Sequence, residues 1–155
     1  MQVLLELLRR YGILLIVVVV IVGFVVFRDR LPGAAQDLQV GECFDRPAAT
    51  TDISEVQRQP CNEAHDGEVF LVVDHPAASG EVYPISLTID RYLDEQCSPA
   101  FDSYTGLDYE NEPDLAFSAL IPSRESWNDD DREVTCYLLR TDGTKLTASL
   151  RAATQ

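Results

Sequence analysis

Positive charge is scarce in this chain. Lysine occurs once, at Lys145, histidine only at His65 and His75, and 26 acidic against 12 basic residues give a formal net charge of -14. So acidic a surface repels phosphate backbones and anionic headgroups over a Debye length of about 8 Å at physiological salt, which excludes nucleic acid as a partner. Four of the basic residues, Arg9, Arg10, Arg28 and Arg30, flank one N-terminal segment, so the remainder is more acidic still. That acidity keeps an exported domain soluble; an acidic partner-binding face is the sharper alternative. No Cys-x-x-Cys pair occurs, which argues against a zinc ribbon or a thioredoxin-like redox site. Internal repeats are missing too, and the run Asp129 to Asp131 lacks the alternating ligands and glycine of an EF-hand loop, so it reads as a solvated loop.

Charge is also absent from Tyr11 to Phe27. A helix over that run rises about 26 Å, slightly less than the hydrocarbon slab, and Tyr11 with snorkelling arginines makes up the difference. The run is expected to be a transmembrane anchor. Signal-peptide cleavage after Gly33-Ala34-Ala35 competes with this reading, but the apolar core is longer than a signal's and Arg28-Asp29-Arg30 occupies the place of a neutral cleavage region. Flanking arginines do not decide orientation; cysteine does. Cys43, Cys61, Cys97 and Cys136 all follow the anchor, and an even set in a small domain reads as two disulfides in an oxidising compartment. The expected organisation is a short cytoplasmic N-terminus (1–10), a single span (11–27), a linker (28–37), an extracytoplasmic domain (38–150) and a tail (151–155).

Beyond the linker the pattern becomes alternating and β-branched. Strands are expected around Leu38 to Phe44, Val56 to Cys61, Glu68 to Asp74, Leu115 to Ile121, Glu133 to Leu139 and Lys145 to Leu150, with Asp142-Gly143 forming a hairpin between the last two. Ile89, Leu93, Cys97 and Phe101 recur at four-residue spacing, predicting one amphipathic helix that begins at a Ser86 cap and turns Cys97 inward. Pro99 should end it, kink it or open a new turn. The fold class is α+β: a small, disulfide-stapled, mainly antiparallel sheet with one principal helix. Cys43 and Cys61 close the first two strands while Cys97 faces a sheet holding Cys136, so the expected bridges are Cys43–Cys61 and Cys97–Cys136.

Val40-Gly41-Glu42-Cys43-Phe44, the block Cys61-x-x-x-His65-x-x-Glu68-Val69, Cys97, and Pro122-Ser123 with Trp127, Arg132 and Cys136 together resemble the septum-formation domain of actinobacterial membrane proteins. The resemblance implies an exported, membrane-anchored domain associated with the division septum or cell envelope, without established catalysis or cofactor, and with envelope or division proteins as partners. One position departs from the expected pattern: Asp130 stands where glycine is expected before the acid-arginine pair.

Chemistry can be argued only at Cys61 to Glu68. Cys61 and His65 could form a metal pair or a thiolate-imidazole nucleophile, with Glu63, Asp66 or Glu68 completing the set. A metal needs more ligands than one further histidine supplies, and a nucleophile needs Cys61 free. The favoured reading is structural, with Cys61 bridged and His65 fixing the turn through Gly67; no catalytic residue, metal or cofactor is assigned. Trp127 is expected in the core, with partner anchoring as the alternative. The expected function is a membrane-tethered, non-catalytic interaction module, the alternative an extracytoplasmic thiol- or metal-dependent hydrolase of the wall.

Overall fold

A computed structural model describes residues 14, 16–22, 32–46 and 55–153. Two compact units are distinguished, residues 1–31 and 32–155. In the first, residues 16–22 are helical and expose their apolar side chains, Ile16 and Val19 at 65%. The rest of the expected span 11–27 lies largely outside the described residues, and no helix among the described residues is long and apolar enough to cross a membrane.

The described residues of the second unit build a six-stranded sheet in which every pairing is antiparallel. Its strands are β1 (Pro32–Ala34), β2 (Cys43–Asp45), β3 (Glu55–Gln59), β4 (Gly67–Asp74), β5 (Leu115–Leu120) and β6 (Glu133–Arg140), in spatial order β1-β3-β2-β4-β6-β5. Helix α1 (Ser86–Thr105) crosses one face, and a short helix α2 (Arg124–Asn128) lies between β5 and β6. The α+β expectation holds.

β4 is the apolar run GEVFLVVD, and its burial shows it serving both faces of the sheet. Its register against β6 shifts between Val69 and Leu71. A bulge there turns two successive side chains to one side. Accordingly Phe70 and Leu71 both pack with Phe101, Tyr104, Cys136 and Leu138 beneath α1, while Val69 and Val72 join the second cluster of Ala35, Leu38, Phe44, Val56 and Tyr137 on the opposite face.

Several sequence expectations need correction. Residues 32–37, read as linker, supply β1 and a 3-10 turn over Ala35–Asp37, because Ala35 and Leu38 bury their side chains on the second face. Of the first expected strand only Cys43 and Phe44 are extended and paired, in β2, which runs on to Asp45; Gly41, at φ 93°, turns the chain before it. Ser86 is not the cap of α1: Ile85 holds that position, extended and without a side-chain cap bond. The helix continues through Pro99 instead of ending or restarting there, with only the hydrogen bond to the Glu95 carbonyl forgone. It stops at Gly106, whose left-handed φ of 71° closes it.

Residues 145–150 are not a strand, and Asp142-Gly143 makes no hairpin. The Asp142 carboxylate instead accepts from the Thr144 amide and hydroxyl and pairs with Arg140, giving a self-contained turn. Beyond this turn the chain forms one isolated β-bridge among the described residues, His65 to Leu146.

Candidate functional site

The block from Cys61 to Glu68 lies where β2, β4 and the C-terminal segment meet. Cys61 is bonded to Cys43, and Cys97 to Cys136, as the placement of the four cysteines predicted. The first bridge staples the start of β2 to the turn after β3; the second fastens α1 to β6. Both sulfurs of the Cys43–Cys61 bridge and a Glu68 oxygen come within 4.8 Å of one another, a spacing that suits a cation. Those atoms are otherwise committed: the sulfurs to each other and the carboxylate to three donors. A bridged sulfur is neither a thiolate ligand nor a nucleophile.

His65 is fully buried. Its amide donates to Leu146 at 3.0 Å and its carbonyl accepts from the Leu146 amide at 2.9 Å, so its backbone forms the bridge that seats the C-terminal segment. Nδ1 lies 2.8 Å from the Glu63 carbonyl, which can only accept, so the proton sits on Nδ1. Nε2 faces the interior without a hydrogen-bond partner among the described residues.

Glu68 is also wholly buried. Oε1 accepts from the Tyr104 hydroxyl at 2.6 Å and from the Ser149 hydroxyl at 2.5 Å; Oε2 accepts from the Leu150 amide at 2.8 Å. Burial, followed by the bond to Glu68 and the charge of Glu68, pushes the Tyr104 phenol well above its ordinary range, so it remains a donor. The Tyr104 carbonyl accepts from Ala152 at 2.8 Å. Glu68 therefore joins the central strand, the helix and the C-terminal segment at one carboxylate.

Between these two residues, Gly67 admits the aromatic core. A Cβ there would stand 2.8 Å from Tyr137 and 3.1 Å from Phe44, whose rings meet edge to face with centroids 5.1 Å apart.

Trp127 and Arg132 form a second cluster, around the loop from β4 to α1. Ser123 caps α2 by accepting from the Ser126 amide at 3.0 Å, and α2 carries Trp127 to 1% exposure. The indole donates to the Glu81 carbonyl at 2.7 Å, its ring meets His75 and Tyr83 edge-on, and the Arg132 guanidinium covers it at 3.9 Å. Arg132 donates to the carbonyls of Trp127, Asp131 and Ala78. The pair clamps the loop, and Trp127 belongs to the core. Asp130, where the resemblance anticipated glycine, adopts the glycine-like φ of 66°. The backbone here takes the left-handed shape that a glycine would accept, although the residue is aspartate.

The structure places the four named residues in two separate clusters, His65 with Glu68 and Trp127 with Arg132. Sequence reasoning missed Tyr104, Ser149, His75 and Tyr83 as their partners. Tyr104 was within reach of the pattern, three residues beyond Phe101 on the same helix face. Nothing local marks Ser149, whose contact spans the length of the domain.

A family model described as "Septum formation" matches residues 40–155. Neither the curated proteins nor the solved structures contain a match.

Proposed function

The chain belongs to the septum-formation family, and from that membership we propose that it is a non-catalytic interaction module, held at the outer face of the cell membrane by residues 11–27, that takes part in septum formation through its surface. The observation that carries this reading is the employment of the motif side chains inside the fold. Cys61 is bridged, Glu68 accepts from three donors, and Trp127 and Arg132 hold a loop. The alternative, a thiol- or metal-dependent hydrolase built on this block, would need Cys61 as a thiolate or Glu68 free for a metal. Two disulfides favour an oxidising compartment, and a helical, wholly apolar stretch at 16–22 favours an anchor.

Topology can be tested on the full chain in cells with a cysteine placed at exposed Ala148. Ala148→Cys is expected to react with a membrane-impermeant maleimide in intact cells, to stay in the membrane fraction after carbonate washing, and to gather at septa. Labelling only after permeabilisation, or release by carbonate, would overturn the tethered, outward-facing reading.

A further inference from the structure

β5 ends the sheet, and no strand pairs with its outer edge among the described residues. Leu115 to Leu120 contains no charge and no proline, pairs with β6 without a bulge, and makes no backbone bond on its other side between Ala116 and Leu120 among the described residues. Folded proteins usually blunt such an edge with lysine, proline or a bulge, because it is a template for another strand. The opposite edge, β1, spans only three residues.

A recess of about 790 Å³ runs along the C-terminal end of β5, walled by Leu120, Ile121, Glu125, Asp131 and Glu133. Through Gln36 and Glu133 it adjoins a second recess of about 400 Å³ that includes Asp37 and Val72. No ion pair among the described residues engages Asp37, Glu125, Asp131 or Glu133. Arg124, the one basic residue on the wall, lies over the Tyr83 ring at 4.8 Å. Burial, then the charges of Asp131 and Asp74, raise the Glu133 carboxyl above its usual range.

We propose that β5 receives an extended, lysine- or arginine-bearing segment of a partner protein as an added antiparallel strand, whose cationic side chains lie over the acids of the adjoining recess. Strand addition satisfies the open backbone groups, and charge selects the partner. A second copy of this chain is disfavoured by the shared charge of -14. The inference rests on the interaction-module reading and names the partner's chemistry.

The test uses the full chain in detergent micelles and fluorescein-labelled peptides of alternating valine and lysine or of alternating valine and glutamate. The valine-lysine peptide is expected to bind saturably, to protect the amides of residues 115–121 from hydrogen exchange, and to weaken by about tenfold in a Glu125→Gln, Glu133→Gln double variant. Both glutamates reach solvent, and unchanged melting of that variant establishes that its fold is intact. Absence of saturable binding, equal binding of the valine-glutamate peptide, unchanged affinity in the double variant or protection at another strand would each overturn the proposal. So would a concentration-dependent dimer protecting the same residues without peptide. Failure on any of these counts leaves Ala148→Cys labelling and septal localisation unaffected, so the two readings fall separately.

Discussion

The two histidines sit in different electrostatic surroundings. His65 lies sealed beneath the C-terminal segment, whereas His75 is half-buried, with its ring 4.5 Å from Tyr92 and 5.3 Å from Trp127. Burial, then the nearby Arg132 charge, hold the His75 imidazole below its ordinary value, and Glu81 opposes them only in part. Its Nδ1 accepts from the Ala77 amide at 3.2 Å, a bond that a proton on Nδ1 would break. Because the folded pKa is the lower one, the unfolded chain binds more protons between that value and about 6.5. Stability should therefore fall as pH drops through this window and level off below it. Asp142, whose carboxyl is held far down by Arg140 and Thr144, adds its own loss only at pH values below the ordinary carboxylate range. Urea midpoints between pH 8 and pH 5 provide the measurement. His75→Asn, which retains an acceptor for Ala77, should show a shallower decline than the wild type; parallel declines would remove His75 as the cause.

Elements were legible where a periodic pattern decided them. The stripe Ile89, Leu93, Cys97, Phe101 and the alternation along Glu133 to Leu139 specify which side faces the core, and they placed the Cys97–Cys136 disulfide. β1 was not legible, since Pro32-Gly33-Ala34 reads as a linker and becomes a strand only because β3 offers it an edge. Asp142-Gly143 misled for a related reason: the dipeptide makes a turn, but whether a second strand pairs after it depends on remote contacts. α2 was missed because it is short, although Ser123 marked its start. At its C-terminal end Asp130 holds φ 66° and bonds to Ser79 at 2.9 Å. A left-handed conformation costs an ordinary residue about 1 to 2 kcal/mol, aspartate less and glycine nothing. Asp130→Ala should therefore destabilise by about 1 to 2 kcal/mol, whereas Asp130→Gly should remain within about 0.5 kcal/mol of wild type, strain relief offsetting the lost bond and the freer unfolded chain. Chemical denaturation would separate them, and an alanine variant as stable as the glycine variant would show that the turn is not under this constraint.

Across the whole molecule, closure is covalent in two places and non-covalent in a third. The bridges, between residues 18 and 39 positions apart, limit the unfolded ensemble by about 3 and 4 kcal/mol on the chain-entropy estimate. The third closure is the segment from Leu146 to Ala152, which no disulfide reaches and which is held by the His65 bridge, the Glu68 carboxylate and the Tyr104 carbonyl. Its attachment gives His65 and Glu68 a common task in one block: the His65 backbone just before β4 and the Glu68 carboxylate within it both grip a strap that arrives from the far end of the chain. Removing Ser149 to Gln155 takes away two of the three donors to Glu68. A buried charged group that loses its partners is costly, so the truncated chain should be less stable by about 3 to 5 kcal/mol, with both disulfides still formed. A Glu68→Gln exchange made in the truncated chain should recover part of that loss, because a neutral amide tolerates burial better than an unpaired carboxylate, whereas the same exchange in the intact chain should destabilise. Melting of the four proteins in a double-variant cycle measures this directly. If Glu68→Gln has the same effect with and without the strap, the carboxylate is not what holds it.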